Sequence, residues 1–251
     1  MADLGTRFTT EGLVIKEMNV GESDRLVTLF TREHGIIKAF ASGAKNIKSK
    51  KGAATKLLTY SSFTILNKKG TNRIYEATAI SQFFSMGSDL EILSLSQYFC
   101  ELCFFFGEAE VANSDILKLI LNSLHFITKE KRNPYLIKAI TELRIAATNG
   151  YMPSLIACEN CSQFETDIMY FSLLDGSLSC SECGLRDGDM AINKTILSAM
   201  RHIVFSEINK LYSFSIPDED AKILSDITER YLETQTDQKF QTLEFLNSIK
   251  E

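Results

Sequence analysis

The sequence predicts an α+β protein in which a small five-stranded β-barrel precedes an α-helical domain with an inserted four-cysteine segment. Three observations predict this class. Alternating segments rich in β-branched residues fill the first 80 residues, apolar residues recur at a helical period after Met86, and four cysteines stand in two close pairs. The length of 251 residues suits two domains, which we place at 1–82 and 83–251, with the cysteine segment at 155–188.

The five predicted strands are separated by turn signals at 21–24, 33–35 and 67–70, so we expect successive strands to pair antiparallel. Five short strands of this kind are typical of an OB-fold, a Greek-key barrel whose groove often takes single-stranded nucleic acid. The predicted strands cover residues 12–20, 25–31, 36–42, 57–66 and 73–80.

The helical domain opens with an apolar periodic stretch from Leu90 to Phe106, and this stretch predicts a first long helix. Helix start signals then follow at Asn113, Asn133-Pro134, Asn193 and Pro217. Within the first helix, Cys100 and Cys103 lie among aromatic residues, so we expect them to pack in the core as small hydrophobes.

The other four cysteines, Cys158, Cys161, Cys180 and Cys183, form two C-x2-C pairs separated by eighteen residues. This spacing is typical of a structural zinc site, in which each pair supplies two thiolates from one tight turn. A hairpin at 174–177 is expected to return the chain between the pairs. Four thiolates leave no open coordination position, so we expect Zn²⁺ to hold the fold together and not to activate water.

Two disulfides, a redox C-x2-C and an iron–sulfur site remain alternatives for these cysteines. Residues 1–10 lack the apolar core of a secretory leader, and no apolar run approaches the roughly 20 residues needed to span a bilayer. The chain is therefore expected to be cytoplasmic, where thiols stay reduced, and this expectation favours zinc.

The charge is unevenly distributed along the chain. Residues 1–80 hold 13 lysines and arginines against 7 aspartates and glutamates, a net charge of +6. Because the whole chain has a net charge of −5, the other residues have a net charge of −11. Binding of a polyanion depends on local potential, and the barrel has the sign that nucleic acid requires.

A basic loop between the third and fourth strands, from Gly43 to Lys56, is the first candidate DNA contact because it holds five lysines and no acid. We expect it to be mobile and to follow a phosphate backbone without reading bases. An ordinary solvated surface loop is the alternative. The predicted DNA-binding residues are Lys45, Lys48, Lys50, Lys51 and Lys56 of the loop, with Arg25, Lys38, Lys68, Lys69 and Arg73 extending the footprint.

Aromatic residues on or beside the strands are candidate stacking platforms for unpaired bases, although most of them are expected to fill the core: Phe40, Tyr60, Phe63 and Tyr75.

Catalytic patterns are missing from the sequence. The three histidines, His34, His125 and His202, are scattered, and no H-E-x-x-H, G-x-S-x-G or Walker motif occurs. We expect no enzymatic activity.

An ordered set of short motifs, spread over most of residues 8–190, resembles the RecO family of bacterial recombination mediators. Each motif is weak by itself, but their order and spacing together are specific. The motifs are Thr10–Ile15, Gly21–Arg25, Leu29–Gly35, Gly43–Lys45, Tyr98 with Glu101-Leu102, Glu142–Arg144, Gly150–Pro153 and Cys158–Cys161.

This resemblance implies an OB domain that binds single- and double-stranded DNA and anneals complementary strands. It further implies cooperation with RecR to load RecA onto strands coated by single-stranded DNA-binding protein, whose acidic C-terminal tail contacts the helical domain. A protein-only adaptor, whose basic loop binds an acidic partner, and a zinc-dependent or thiol-redox enzyme are the competing classes.

Overall fold

The computed structural model describes residues 5–46, 49–84 and 89–249. The chain divides into two compact units, one that runs up to Glu130 and takes in the chain from Phe240 onward, and one from Lys131 to Lys239. The predicted division at residue 82 follows the change from an alternating to a helical pattern. The compact barrel unit extends further because helices beyond that point pack with the barrel, and the division at residue 82 stays a prediction.

Five strands close the barrel in the order β1-β2-β3-β5-β4. Successive strands pair antiparallel as expected in β1-β2, β2-β3 and β4-β5. The expectation is wrong for β3 and β4, because the connection between them takes the chain across to β1, with which β4 pairs antiparallel, and β3 instead runs parallel to β5. The predicted five-stranded, OB-like barrel is confirmed. The strands are β1 (Thr6–Val20), β2 (Asp24–Thr31), β3 (Gly35–Ala41), β4 (Thr59–Lys68) and β5 (Thr71–Gln82), and a short helix, α1 (Lys50–Ala54), lies between β3 and β4.

The barrel interior is filled by one face of each strand, as the alternation along the strands requires. Phe63, at the centre of β4, is completely buried. Small residues of β3 and α1 belong to the same buried cluster, as expected of a small barrel whose interior is filled by side chains. The buried interior residues are Val14, Val27, Leu29, Ile37, Ala39, Ala41, Ala44, Ala54, Phe63, Ile65, Ile74 and Ala77.

Three helices complete the barrel unit: α2 (Leu90–Phe106), α3 (Ser114–Thr128) and α7 (Gln241–Ser248). The predicted start of α3 is confirmed, because the Asn113 side chain accepts a hydrogen bond from the Ile116 amide at 3.1 Å. Cys100 and Cys103 are buried in α2 as expected. Burial raises the pKa of the Cys100 thiol to about 12, so this residue packs as a neutral hydrophobe.

Helix α7 is absent from the sequence-based prediction, and a distant carboxylate determines where it begins. Glu101 of α2 accepts hydrogen bonds from the backbone amides of Gln241 at 3.1 Å and Thr242 at 2.9 Å. These amides belong to the first turn of α7 and have no partner within the helix. The aromatic ring of Phe240 packs edge-on against Tyr98 at 5.6 Å, which fixes the chain entering the helix.

The second unit consists of three helices and a small three-stranded sheet in the order β7-β6-β8. Asn133 and Asn193 cap the first two helices of this unit as predicted. The helices are α4 (Pro134–Thr148), α5 (Lys194–Phe205) and α6 (Asp218–Thr236), and the strands are β6 (Ile168–Phe171), β7 (Leu178–Cys180) and β8 (Met190–Asn193). Among the described residues, no helix is long and apolar enough to cross a membrane.

A buried ion network joins α4 to α6. The Lys138 ammonium lies 2.9 Å from the Glu142 carboxylate and 2.8 Å from that of Glu229, and the Thr228 hydroxyl donates to Glu142 at 2.8 Å. Burial opposes the charge on Lys138, but the two carboxylates outweigh it and hold the pKa above its usual value. The ammonium therefore stays charged and fixes how these two helices meet.

Close backbone contact at the β2–β3 turn requires a glycine. Gly35 has a φ of +57°, and an added Cβ would lie 2.2 Å from the Glu108 carbonyl oxygen and 2.5 Å from that of Val111. The Ile36 amide donates to Glu108 at 3.0 Å, so the α2–α3 connection lies directly against this turn.

We expect Gly35→Ala to destabilise the protein by roughly 1–3 kcal/mol more than Gly21→Ala, because overpacking adds to the backbone strain. Gly21 is the matched control: its φ is also +57°, but nothing lies within 4 Å of an added Cβ. The free energy of unfolding from urea titration, monitored by circular dichroism, measures both losses. Equal losses would mean that the connection moves aside without cost.

Candidate metal centre and candidate nucleic-acid interface

The four predicted cysteines converge on one point. The Sγ atoms of Cys158, Cys161, Cys180 and Cys183 all lie within 4.8 Å of one another. Zinc bound to four thiolates at about 2.3 Å in a tetrahedron places the sulfurs about 3.8 Å apart. The donors therefore fit a single tetrahedral metal ion. All six cysteines are free thiols, which gives no support to the two-disulfide alternative.

Two tight turns present the thiols. In the first, the Ser162 amide donates to the Cys158 carbonyl at 2.9 Å, and in the second the Gly184 amide donates to the Cys180 carbonyl at 3.1 Å. Ser162 and Gly184 both have positive φ values, +62° and +92°, which turn the chain back sharply. The predicted hairpin is present as β6 and β7, and Cys180 lies at the end of β7.

The electrostatic environment favours a thiolate at Cys158. Burial raises the pKa of this thiol, but hydrogen bonds from the backbone amides of Cys161, Asn160 and Cys180 outweigh burial and lower the pKa to about 6. A thiolate is the form that ligates a metal. Backbone amides directed at sulfur are also how such a site is preorganised before the ion arrives.

An arginine from α5 fixes the first turn in place. The Arg201 guanidinium donates to the carbonyl oxygens of Leu155 at 2.8 Å, Ile156 at 2.9 Å and Phe164 at 2.8 Å. It also pairs with Glu165 at 3.1 Å. These four contacts bracket the Cys158–Cys161 turn on both sides, so the site is held to the helical scaffold and does not depend on metal alone for its position.

The described residues of the basic loop contain a short helix that the sequence pattern does not predict. Mobility of residues 43–56 stays a prediction; α1 lies in the second half of the loop, and described lysines on both sides of 47–48 contact the barrel. Lys51 Nζ donates to the Ile74 carbonyl at 3.3 Å and Lys45 Nζ to the Gly21 carbonyl at 3.2 Å. Lys48 lies outside the described residues. Lys45 and Lys56 line an open cleft of about 460 Å³ beside α1.

Arg25 and Asp24 are the residues that hold this loop. The Arg25 side chain is buried, and its guanidinium donates to the Gly52 carbonyl at 3.0 Å and the Thr55 hydroxyl at 2.8 Å. Asp24 accepts from the Gly43 amide at 2.8 Å, a bond that lowers the pKa of its carboxyl, with smaller contributions from Ser23, Arg73 and Lys51. We therefore assign Arg25 a positioning role under the loop in place of a surface contact.

The remaining predicted basic residues are exposed on one face of the barrel or at its rim. Strand pairing places Phe40 of β3 opposite Arg73 of β5. Lys38 lies two residues before Phe40 on β3, so it projects from the same face of the sheet. Lys68 and Lys69 are exposed in and beside the β4–β5 turn, where Lys69 adopts a φ of +51°. In an OB-fold, the face of strands 2 and 3 and the β4–β5 turn contact oligonucleotides.

The four aromatic candidates differ in their exposure and in their contacts. Phe63 is core, as expected of most of them, and Tyr60 donates a hydrogen bond to Glu11 at 2.6 Å. Phe40 is half-buried, whereas Tyr75 is exposed on β5. The Arg7 guanidinium lies over the Tyr75 ring, 4.4 Å from its centroid. Arg7 lies outside the predicted first strand, although the alternation of Thr6 to Thr9 is a signal that could have extended that strand to include it.

None of the three histidines belongs to a catalytic arrangement among the described residues. His34 packs against Phe8 at 4.6 Å, His125 pairs with Glu130 at 3.2 Å, and His202 packs against Phe214 at 4.6 Å. They lie in separate elements, as predicted. The four cysteines are the one group of potential metal ligands found in the described ranges.

Comparison with known proteins identifies two family models along the chain. A model described as "Recombination protein O N terminal" matches residues 4–83, and one described as "Recombination protein O C terminal" matches residues 87–244. Together they cover the barrel, helices α2 to α6, the first half of α7 and the cysteine segment.

Curated relatives named "DNA repair protein RecO" are similar over nearly the whole chain. The protein of Acetivibrio thermocellus is 32% identical over 241 residues, covering 96% of both chains. That of Caldicellulosiruptor saccharolyticus is 28% identical, covering 96% of this chain and 98% of its own. That of Clostridium perfringens is 29% identical, covering 96% of this chain and 97% of its own.

We expect the purified protein to carry one tetrahedral metal ion per chain, and Cys158→Ser to abolish its binding. Elemental analysis of both proteins measures this stoichiometry. Chelation should lower the melting temperature of the wild type but not of the variant. Cys100→Ser is the matched control, because this cysteine is buried in α2 of the barrel unit, and it should retain the metal. Metal retained by Cys158→Ser would contradict the assignment.

Proposed function

Because the chain belongs to the recombination protein O family and has a role in DNA repair, we propose that its barrel binds single- and double-stranded DNA. The observation that carries this proposal is the group of exposed cations on the barrel: Lys38 and Arg73 on adjacent strands, and Lys68 and Lys69 at the β4–β5 turn. Such a surface attracts phosphates with little regard to base sequence.

The loop adds a second set of cations to this surface. Lys50 is exposed on α1, and Lys45 and Lys56 line the cleft beside it. Since Asp24 and Arg25 attach the loop to the barrel, these charges need little ordering when DNA binds. With cations on both the strands and the loop, the barrel can neutralise two DNA strands at once, which lowers their repulsion and allows complementary strands to anneal.

The family assignment supports the wider role that the resemblance implies. We propose that the protein is a cytoplasmic, nucleoid-associated mediator that works with RecR to load RecA onto strands coated by single-stranded DNA-binding protein. The acidic C-terminal tail of that coating protein is the proposed contact for the helical domain. The mediator acts by binding, without covalent catalysis. The four cysteines would hold a structural zinc ion, which stabilises the segment around them and has no position free for a substrate.

Fluorescence anisotropy of labelled single-stranded and duplex DNA across a salt series tests the proposal. We expect binding at low salt to both forms, with log K falling steeply as log salt concentration rises. The purified protein's failure to bind either form at any salt would overturn the proposal and favour the protein-only adaptor.

Removal of two cations from the barrel face should reduce the salt slope. Lys38→Ala combined with Arg73→Ala is expected to weaken binding to all sequences and to lower the slope by roughly 1.4 for single strands and 1.8 for duplex, if each cation neutralises one phosphate. Lys210→Ala combined with Lys222→Ala is the charge-matched control, since both lysines are exposed in the second unit. An unchanged slope, or an equal change in the control, would contradict the assignment of this face.

A further inference from the structure

Tyr75 stands on the barrel surface because of a β-bulge. In the β4–β5 ladder, Thr64 pairs with Glu76 and Ile65 with Ile74, so Tyr75 is left without a direct partner. Ile74, directly before Tyr75, and Ala77, directly after Glu76, both belong to the buried core. A bulge re-aims side chains in this way, and here it places Tyr75 and Glu76 side by side on the outer surface.

The ring remains accessible although it has a cation against it. Tyr75 retains 57% of its maximal exposure even with the Arg7 guanidinium 4.4 Å from its centroid. Arg7 comes from β1, where it pairs with Leu66 of β4, which in turn pairs with Arg73 of β5. Strand pairing thus fixes the backbone positions from which the ring and the guanidinium project, and the cation–π contact between them limits the freedom that each side chain loses when a ligand stacks there.

The surroundings of the ring have the chemistry of a single-stranded nucleic-acid site. Arg73 lies on the same strand and the same face, beside Phe40, and Lys38 follows on β3. Glu76 is the acidic neighbour at the bulge. Proteins hold single strands with two components: cations that follow the phosphate backbone, and aromatic rings on which the bases stack.

We infer that Tyr75, backed by Arg7, is a stacking platform for an unpaired base, and that it makes the barrel favour single strands over duplex. The inference rests on the proposed function and deepens it. Bases in a duplex are stacked on one another and do not offer a face to the ring, whereas every base in a single strand does. The cations would then supply affinity for both forms, and Tyr75 would add affinity for single strands alone.

The chain has no tryptophan, so Tyr75→Trp creates a unique fluorophore at the proposed platform. We expect an unlabelled single-stranded oligonucleotide to quench this fluorescence, and a duplex bound to the same degree to leave it nearly unchanged. Ile80→Trp is the matched reporter, because Ile80 is also expelled by a bulge on β5 and is 52% exposed. It should not be quenched.

Binding measurements complete the test. Tyr75→Leu is expected to weaken single-strand binding about fivefold or more and to leave duplex binding unchanged, whereas Tyr75→Phe, which keeps the ring, should bind both forms as the wild type does. If Tyr75→Trp binds DNA without quenching, if Ile80→Trp is quenched equally, or if Tyr75→Leu binds normally, the inference fails while DNA binding by the barrel stands. Absence of all binding by the wild type overturns the proposed function itself.

Discussion

Closure of the barrel between β3 and β5 is the contact on which the proposed DNA surface depends. The two strands pair over only two positions, Ala39 with Asn72 and Phe40 with Arg73. The Asn72 side chain adds a hydrogen bond to the Lys38 carbonyl at 3.2 Å. This short parallel contact brings cations and aromatic rings from different strands onto one face. Without it, the sheet would have two open edges, and the same residues would lie far apart.

The loop between β3 and β4 is attached to the closed barrel by buried polar contacts. Arg25 lies under the loop and bonds to Gly52 and Thr55, and Asp24 bonds to Gly43. Because buried Arg25 anchors the backbone at Gly52 and Thr55, the neighbouring exposed lysines Lys50 and Lys56 project from defined backbone positions. Cations in defined positions lose less conformational entropy on binding than those on a mobile arm. Attachment of the loop at Gly43, Gly52 and Thr55 therefore favours the binding role that its composition suggests.

Much of the fold could be predicted because its signals are local. Alternation marked the five strands, side-chain caps at Asn113, Asn133 and Asn193 marked three helices, and the cysteine spacing marked the metal centre. Helix α7 could not be predicted, because Glu101 is about 140 residues away from the amides it caps. The buried contacts under the basic loop could not be predicted either, because Arg25 lies about 30 residues before the Thr55 hydroxyl that it binds.

The sequence by itself determined which elements form, which sign of charge the barrel carries, and which four thiols can share a metal, because propensity, charge and close spacing are properties of neighbouring residues. Only the tertiary structure decided that Arg25 is buried while Lys38 and Arg73 share a face, and that Tyr75 is expelled from the sheet beside Arg7. These outcomes depend on strand register and barrel closure. Alternation and turn geometry set the register within a hairpin. The pairing of β1 with β4 and of β3 with β5 joins segments far apart in the chain, and no local pattern marks which segments will meet.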